Sequence, residues 1–447
     1  MQQVEYKSFI RLLAIVQNAS WGGFIIGYTT SELAFSQKNI IASFNNSEHE
    51  DLFNLLFVII LPIGGIVGTI IYYYVSQLTS RRNILIISDI INILAIFIGY
   101  NQIYTFMLLR FFEGISNALN FCGVLLYIRE IMPDQQADKG ILIFQINLNI
   151  GIIMANVLCL PLTAPGTENS NQQNPNYYWR VIFVFPILIC FLRIYCLIFV
   201  YDFETPYYYY SMNQQLKMNK LLKLFYDHKY VKKTQNKLEL IGQEEETISP
   251  SYKFRKYFCS ILLSIQQMTG INVGIYSSQA LIDIFSNQDQ QRVITLFCNI
   301  LLLISAVLSY IFEQQINRKA KYIGLNFLLL FIIKMADLLQ QNNNAYISLF
   351  SQFLFNLIFN FNVGPLIHSI SSDLNKEKGI AVSYLFYWIF NLISVLVGQI
   401  KPFIVSKITF AVVCLIGFLL LYFKGIETKA VPYHMIKSQD FIRKQNN

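Results

Sequence analysis

LFNLLFVIILPIGGIVGTIIYYY, residues Leu52–Tyr74, contains no Asp, Glu, Lys or Arg. A helix crosses the hydrocarbon of a bilayer in about 20 mostly apolar residues. Lipid offers the backbone no hydrogen-bond partner, so such a run is read as a spanning helix. Outward from it, similar runs cover Phe9–Leu33, Ile84–Tyr100, Ile103–Ile128, Ile141–Leu162, Val181–Val200, Tyr257–Phe285, Val293–Phe312, Tyr322–Leu339, Ala345–Ile370, Ile380–Gln399 and Phe403–Phe423. The expectation is about twelve spans. Tyr322–Leu339 and Phe403–Phe423 are the least marked, because their flanking loops are very short.

Composition points the same way. Of 447 residues, 54% are hydrophobic and 13% charged, where a soluble chain carries about a quarter charged. The predicted class is an all-α integral membrane protein. No cleavable signal peptide is evident, since the first run continues past Gly22 and Gly23 without a small-residue cleavage site. All seven cysteines fall within spans or at their ends, so no external disulfide is expected.

A formal charge of +8 would suit nucleic acid, but its distribution is that of a topology signal. Lys7, Arg11, Arg81, Arg82, Arg129, Lys139, the basic run Lys217–Lys256, Arg318, Lys319, Lys321, Lys376 and Lys378 fall on one side. The other side has mainly Lys38, Arg180, Arg292 and Lys401. Both termini are therefore expected in the cytoplasm, with no nucleic-acid partner. Asn45-Asn46-Ser47, a glycosylation acceptor, falls on the side this rule makes external.

The polar stretch Tyr201–Arg255 divides the spans into six and six and should hold short amphipathic helices. The halves echo each other. Arg81-Arg82 follows the second span and Arg318-Lys319 the eighth; Glu204-Thr205 follows the sixth and Glu427-Thr428 the twelfth. Internal repeats of this kind mark carriers whose halves rock about a central site. The expected division is a first bundle at 1–200, a cytoplasmic linker at 201–256, a second bundle at 257–424 and a cytoplasmic tail at 425–447.

Several short stretches then occur in a telling order. They are Arg110-Phe111 with Gly114, Tyr127-Ile128-Arg129-Glu130-Ile131-Met132-Pro133, Gln145 with Gly151, Trp179-Arg180 and Glu204-Thr205-Pro206. Gln266-Gln267-Met268-Thr269-Gly270-Ile271-Asn272 with Tyr276, Trp388 with Asn391, and Glu427-Thr428-Lys429 complete the set. In this order they resemble RFxxG, YxSExxP, the Gln-to-Gly spacing of span five, WR, PESPR, QQxxGIN, NWxxN and PETKG of the sugar porter family of the major facilitator superfamily. The resemblance covers nearly the whole chain. It implies a major facilitator fold of two six-helix halves, carrying a sugar by alternating access and without a cofactor.

The chemistry suits that expectation. A sugar hydroxyl both donates and accepts, so a neutral amide pairs with it without desolvating a charge. The resemblance implies that Gln145, Gln266, Gln267 and Asn272 line a sugar site near the membrane midplane. On residue type alone, amides bonding neighbouring helices explain them as well. Trp388, whose face suits the C–H face of a pyranose, joins the set with Asn391. His368 stands where the family usually has a tryptophan after Gly364-Pro365, either bonding a hydroxyl or filling space. Arg81, Arg82 and Glu130, and Arg318 with Glu204 and Glu427, fall where the family holds its inner side closed. Simple positive-inside charge is the alternative for these.

Departures from the family carry information too. Gly27-Tyr28-Thr29-Thr30-Ser31 replaces GYDxG, and the Thr29 hydroxyl cannot titrate near neutral pH. Facilitated diffusion is therefore expected, the competing reading being proton-coupled symport through Glu32, three residues on and on nearly the same helix face. The loop motif GxxxDRxGRR is reduced to Gln77-Leu78-Thr79-Ser80-Arg81-Arg82, and Tyr387 replaces the first Asn of NWxxN. Within spans, Lys334 and Asp337 are expected to neutralise each other, and Arg193 and Asp89 to pair or snorkel.

Other classes fit less well. His49, His228, His368 and His434 have no metal-ligand spacing, and neither a Ser-His-Asp set nor a phosphate loop occurs. No enzyme, catalytic residue or metal site is therefore expected. A carrier of another polar organic solute and a non-transporting sugar sensor are the remaining readings, and the short tail Lys424–Asn447 counts against the sensor. The expected partners are a small sugar and the bilayer, with no obligate protein partner, in the plasma membrane.

Overall fold

The computed structural model describes residues 9–133, 136–162, 176–226, 231–232, 234–236, 238, 250–272, 288–339, 345–400 and 403–429. Helices account for the secondary structure in order: α1 (Phe9–Ser31), α2 (Gln37–Ser43), α3 (Glu50–Leu78), α4 (Arg81–Ile98), α5 (Ile103–Ile131), α6 (Ala137–Cys159) and α7 (Trp179–Tyr195). The linker contributes α8 (Pro206–Ser211) and α9 (Gln215–Phe225). Then follow α10 (Pro250–Gln267), α11 (Gln288–Phe312), α12 (Lys319–Leu339), α13 (Ala345–Ile358), α14 (Gly364–Leu374), α15 (Glu377–Gly398) and α16 (Phe403–Lys424). The two least marked runs are thus full helices, α12 and α16.

Ten of the helical segments among the described residues are long and apolar enough to cross a membrane. Two expected spans, α4 and α10, fall outside that set: each carries three charged residues, Arg81, Arg82 and Asp89 on α4 and Lys253, Arg255 and Lys256 on α10, and the span expected to continue α10 lies partly outside the described residues. On α4, Ser88, Asp89 and Asn92 are buried while Ile87, Ile90, Leu94 and Phe97 are exposed. On α10, Ser260, Ser264, Gln266 and Gln267 are buried while Phe254, Tyr257 and Ile261 are exposed. Apolar outside and polar inside is the arrangement of a helix whose solvent is lipid.

The linker helices follow soluble rules. Thr205 caps α8 by accepting from the Tyr208 amide at 3.2 Å, with Pro206 opening the helix. Helix α9 buries Met218, Leu221, Leu222 and Phe225 and exposes Lys217, Lys220 and Lys223, one apolar stripe at helical spacing. Helix α2 was not anticipated; it buries Asn39, Ile40 and Ile41.

Among the early helices α1 packs on α6 and α3 on α5; among the late ones α12 packs on α16 and α10 on α15. The two sets meet where α3 touches α15 and where α6 touches α11 and α14. Gly64 and Gly114 set the α3–α5 approach, for a side chain at either would run into the opposite backbone. Buried charges in the spans are partnered. Arg193 reaches Asp89 at 3.1 Å and the Asn120 carbonyl at 2.7 Å. Asp337 pairs with Lys407 at 2.8 Å, and Lys334 lies over the Phe355 ring at 4.0 Å.

Candidate functional site

The site begins with a break in a helix. Between α13 and α14 the chain widens into a π-helical turn, Phe359–Val363, immediately before Gly364-Pro365. Proline has no amide hydrogen and its ring pushes away the preceding turn, which leaves carbonyls unserved. Beside this break, Gln266 of α10 donates its amide to the Gly364 carbonyl at 2.8 Å and the Val363 carbonyl at 3.2 Å. Part of the expected sugar-binding capacity of Gln266 is thus committed to the backbone, leaving its carbonyl oxygen.

At the end of α10, Gly270 adopts φ +86°, a left-handed conformation that L side chains rarely tolerate. The turn brings Asn272 back to donate to the Gln267 carbonyl. Gln145 of α6 faces them from the other set of helices and donates to the Asn360 carbonyl at 3.0 Å. Asn360 in turn donates to the Leu302 carbonyl at 2.6 Å. Tyr276 lies outside the described residues.

Several buried polar atoms here have no hydrogen-bond partner among the described residues: Gln266 Oε1, Trp388 Nε1, Asn391 Oδ1, and both amide atoms of Asn362. An orphaned buried donor or acceptor costs about 1–3 kcal/mol. Hydroxyls that both donate and accept are the chemistry that relieves such a set. Trp388 is held against Gly65 of α3, where any side chain would strike the indole.

An aromatic layer adjoins these amides. His368 Nδ1 lies 2.7 Å from the Tyr384 hydroxyl, and the two rings stack at 5.8 Å. His368 therefore has a protein partner at Nδ1. Phe121 of α5 meets the same group of rings.

An ion-pair layer lies at the linker end, and it repeats in the two halves. Arg81, first residue of α4, pairs with Glu130 at 3.3 Å, and Thr205 donates to Glu130. Lys319, first residue of α12, pairs with Asp373 at 2.9 Å, and Thr428 donates to Asp373 at 2.6 Å. Glu204 accepts from the Arg82 amide at 3.1 Å and the Ser80 hydroxyl at 2.6 Å. Glu427 accepts from the Ala320 and Lys321 amides at 3.0 and 3.1 Å. Each glutamate thus sits on the positive end of a helix. Burial raises the Glu204 carboxyl above its usual range, and these donors pull it back. Arg82 pairs with Asp202 and, at 3.4 Å, with Glu204.

Arg318 does not take the place expected for it. It is the residue before α12, its carbonyl receiving the Tyr322 amide, and its side chain is exposed. The counterpart of Arg81 is Lys319, one residue on, where the helix has turned inward. Pairs between the early and late helices close this layer: Lys319 with Asp138 at 2.8 Å, Arg129 with Asp373 at 3.1 Å, and Arg81 with Glu377. In the sequence Arg129 counts only as a topology charge, and Asp138, Asp373 and Glu377 carry no local mark of their distant partners. Asn360 and Asn362, two amides beside Gly-Pro in an apolar run, left a signal that could have been used.

Glu32 lies apart from these layers. Its carboxylate is 2.9 Å from Arg110, which also pairs with Glu113 at 2.7 Å, and all three side chains are fully buried. Thr29, in the place of the family aspartate, exchanges hydrogen bonds with Asn117.

Membrane helices around an amide-lined junction, closed at one end by repeated ion pairs, define a helical membrane carrier. The chain belongs to the sugar (and other) transporter family, whose profile matches residues 14–439. It is 23% identical to hexose transporter 1 of Plasmodium falciparum, over 95% of this chain and 94% of that one. It is 25% identical to the facilitated glucose transporter member 1 of Gallus gallus, over 96% and 93%. The fold matches the proton:xylose symporter XylE bound to 6-bromo-6-deoxy-D-glucose with TM-score 0.81 at 18% identity, covering 97% of this chain and 98% of that one. With the inward open conformation of XylE from E. coli the score is 0.71 at 17% identity, covering 97% and 99%.

Proposed function

We propose that this protein carries a sugar of the hexose class across the plasma membrane by alternating access and facilitated diffusion, and catalyses no reaction. The observation that supports this most directly is the group of buried polar atoms on Gln266, Trp388, Asn391 and Asn362 that have no partner among the described residues. In this reading they, with Gln145, Gln267 and Asn272, replace the hydration shell of the sugar. His368 shapes the pocket through Tyr384. The early and late helices are two rocking bundles, residues 1–200 and 257–424, and the linker end is cytoplasmic together with both termini.

Thr29 supports diffusion, since it offers no proton site. Purified protein in liposomes, loaded by labelled glucose against a panel of hexoses, pentoses and polyols, tests the proposal. Saturable uptake that stops at equal concentrations is expected. A panel in which no sugar moves, while another polar solute does, would overturn it.

One observation favours a second reading, proton-coupled symport. Glu32 and Glu113 place two carboxylates on a single buried guanidinium, and an unneutralised buried charge is costly unless a proton joins it. An imposed pH gradient decides between them. Accumulation above equilibrium, abolished by Glu32→Gln, would replace diffusion with symport.

A further inference from the structure

Phe121 has an environment that the ion pairs and the amides do not account for. It projects from α5, with Phe144 of α6 behind it at 5.6 Å between ring centres. In front lie four rings from the late helices: Tyr387 at 5.2 Å, Tyr384 at 5.5 Å, His368 at 5.6 Å and Trp388 at 6.1 Å. Phe121 is only 2% exposed. One side chain of the early helices thus fills a cup built by the late ones.

Position along the helices gives the cup its meaning. On α15, Glu377 belongs to the ion-pair layer, Tyr384 stands about 10 Å further along and Asn391 about 21 Å, at 1.5 Å per residue. On the other wall, Asn360 precedes His368 by eight residues and Asp373 follows it by five, in the same order. The His368 and Tyr384 rings therefore lie between the amide layer and the ion-pair layer, while Trp388 reaches up to the amides. Ion pairs are hydrated readily and by themselves make a poor seal; packed rings exclude water and any polyol.

We propose that Phe121 is the stopper of the transport path on the linker side. It forms the dry floor beneath the sugar, and it must leave the cup of His368, Tyr384, Tyr387 and Trp388 before solute passes to that side. Phe121 is a positioning residue in this scheme, since it seals the site without bonding sugar hydroxyls. The inference rests on the carrier reading above.

The test uses a reporter cysteine, Asn391→Cys, in oriented proteoliposomes treated with a membrane-impermeant maleimide. Six of the seven native cysteines are buried, and the protein without the reporter supplies the background. With Phe121→Ala, labelling from the linker side should rise about tenfold, the factor that 1.4 kcal/mol represents. Labelling from the opposite side should not rise, and Phe121→Tyr, which keeps the ring, should label like the parent. Unchanged labelling in Phe121→Ala, or an equal rise from both sides, would overturn the stopper. If Phe121→Ala does not elute as a monodisperse species, Phe121→Leu takes its place with the same criteria. Labelled-glucose uptake by the unaltered protein is measured alongside, so failure of the carrier reading shows itself separately.

Discussion

Lys319 Nζ stands 2.8 Å from Asp138 Oδ1 and 2.9 Å from Asp373 Oδ2, so one buried ammonium of α12 ties α6 to α14. Removing one partner from a buried pair costs about 3–5 kcal/mol, because the other charge is stranded. Lys319→Ala should therefore lower the thermal midpoint of the purified protein sharply. Arg318→Ala, at an exposed neighbour, should stay within about 0.5 kcal/mol. Equal effects of the two would refute the one-residue offset.

Glu204 and Glu427 perform one task in two places, each receiving amides at the start of a helix. Each Glu→Gln change keeps the acceptor and removes the charge, a loss of about 0.3–1 kcal/mol for a helix-end interaction. The two sites cap the starts of different helices, so the double variant should lose the sum in denaturation measurements.

Gln266 and Gln267 are neighbours with different obligations. The Gln266 amide serves the Val363 and Gly364 carbonyls, so Gln266→Ala should reduce stability as well as uptake. Gln267 bonds Asn272 within its own segment. Gln267→Ala should leave expression and melting intact while raising the KM for sugar roughly tenfold, about 1.4 kcal/mol. Unaltered transport by that variant would remove Gln267 from the site.

Gly65 leaves the space that the Trp388 indole occupies. Gly65→Ala presses on the ring, and overpacking costs about 1–3 kcal/mol. A smaller ring relieves the clash, so Gly65→Ala with Trp388→Phe should melt above Gly65→Ala alone. A double variant that melts lower still would show that the clash is not with Trp388.

Hydropathy made most of the architecture legible. In lipid a long apolar run has one stable form, so the run Leu52–Tyr74 and its companions specify helices and their approximate ends. The ordered motifs from Arg110-Phe111 to Glu427-Thr428 specify the family, because they depend only on residue identity and spacing. The helices bearing Gln145, Gln266 and Trp388 were legible for the same reason.

Rotation of each helix about its axis was not legible. Each step along a helix turns a side chain by about 100°, so one residue separates exposed Arg318 from buried Lys319. The partners of Arg129 and Asp138 lie more than 150 residues away, as do those of Gln145, and nothing local records them. The same holds for Lys407 reaching Asp337, and for Phe121 entering the cup of four rings. Lipid dictates that these segments are helices; contact with distant helices alone decides which way each polar or aromatic side chain faces.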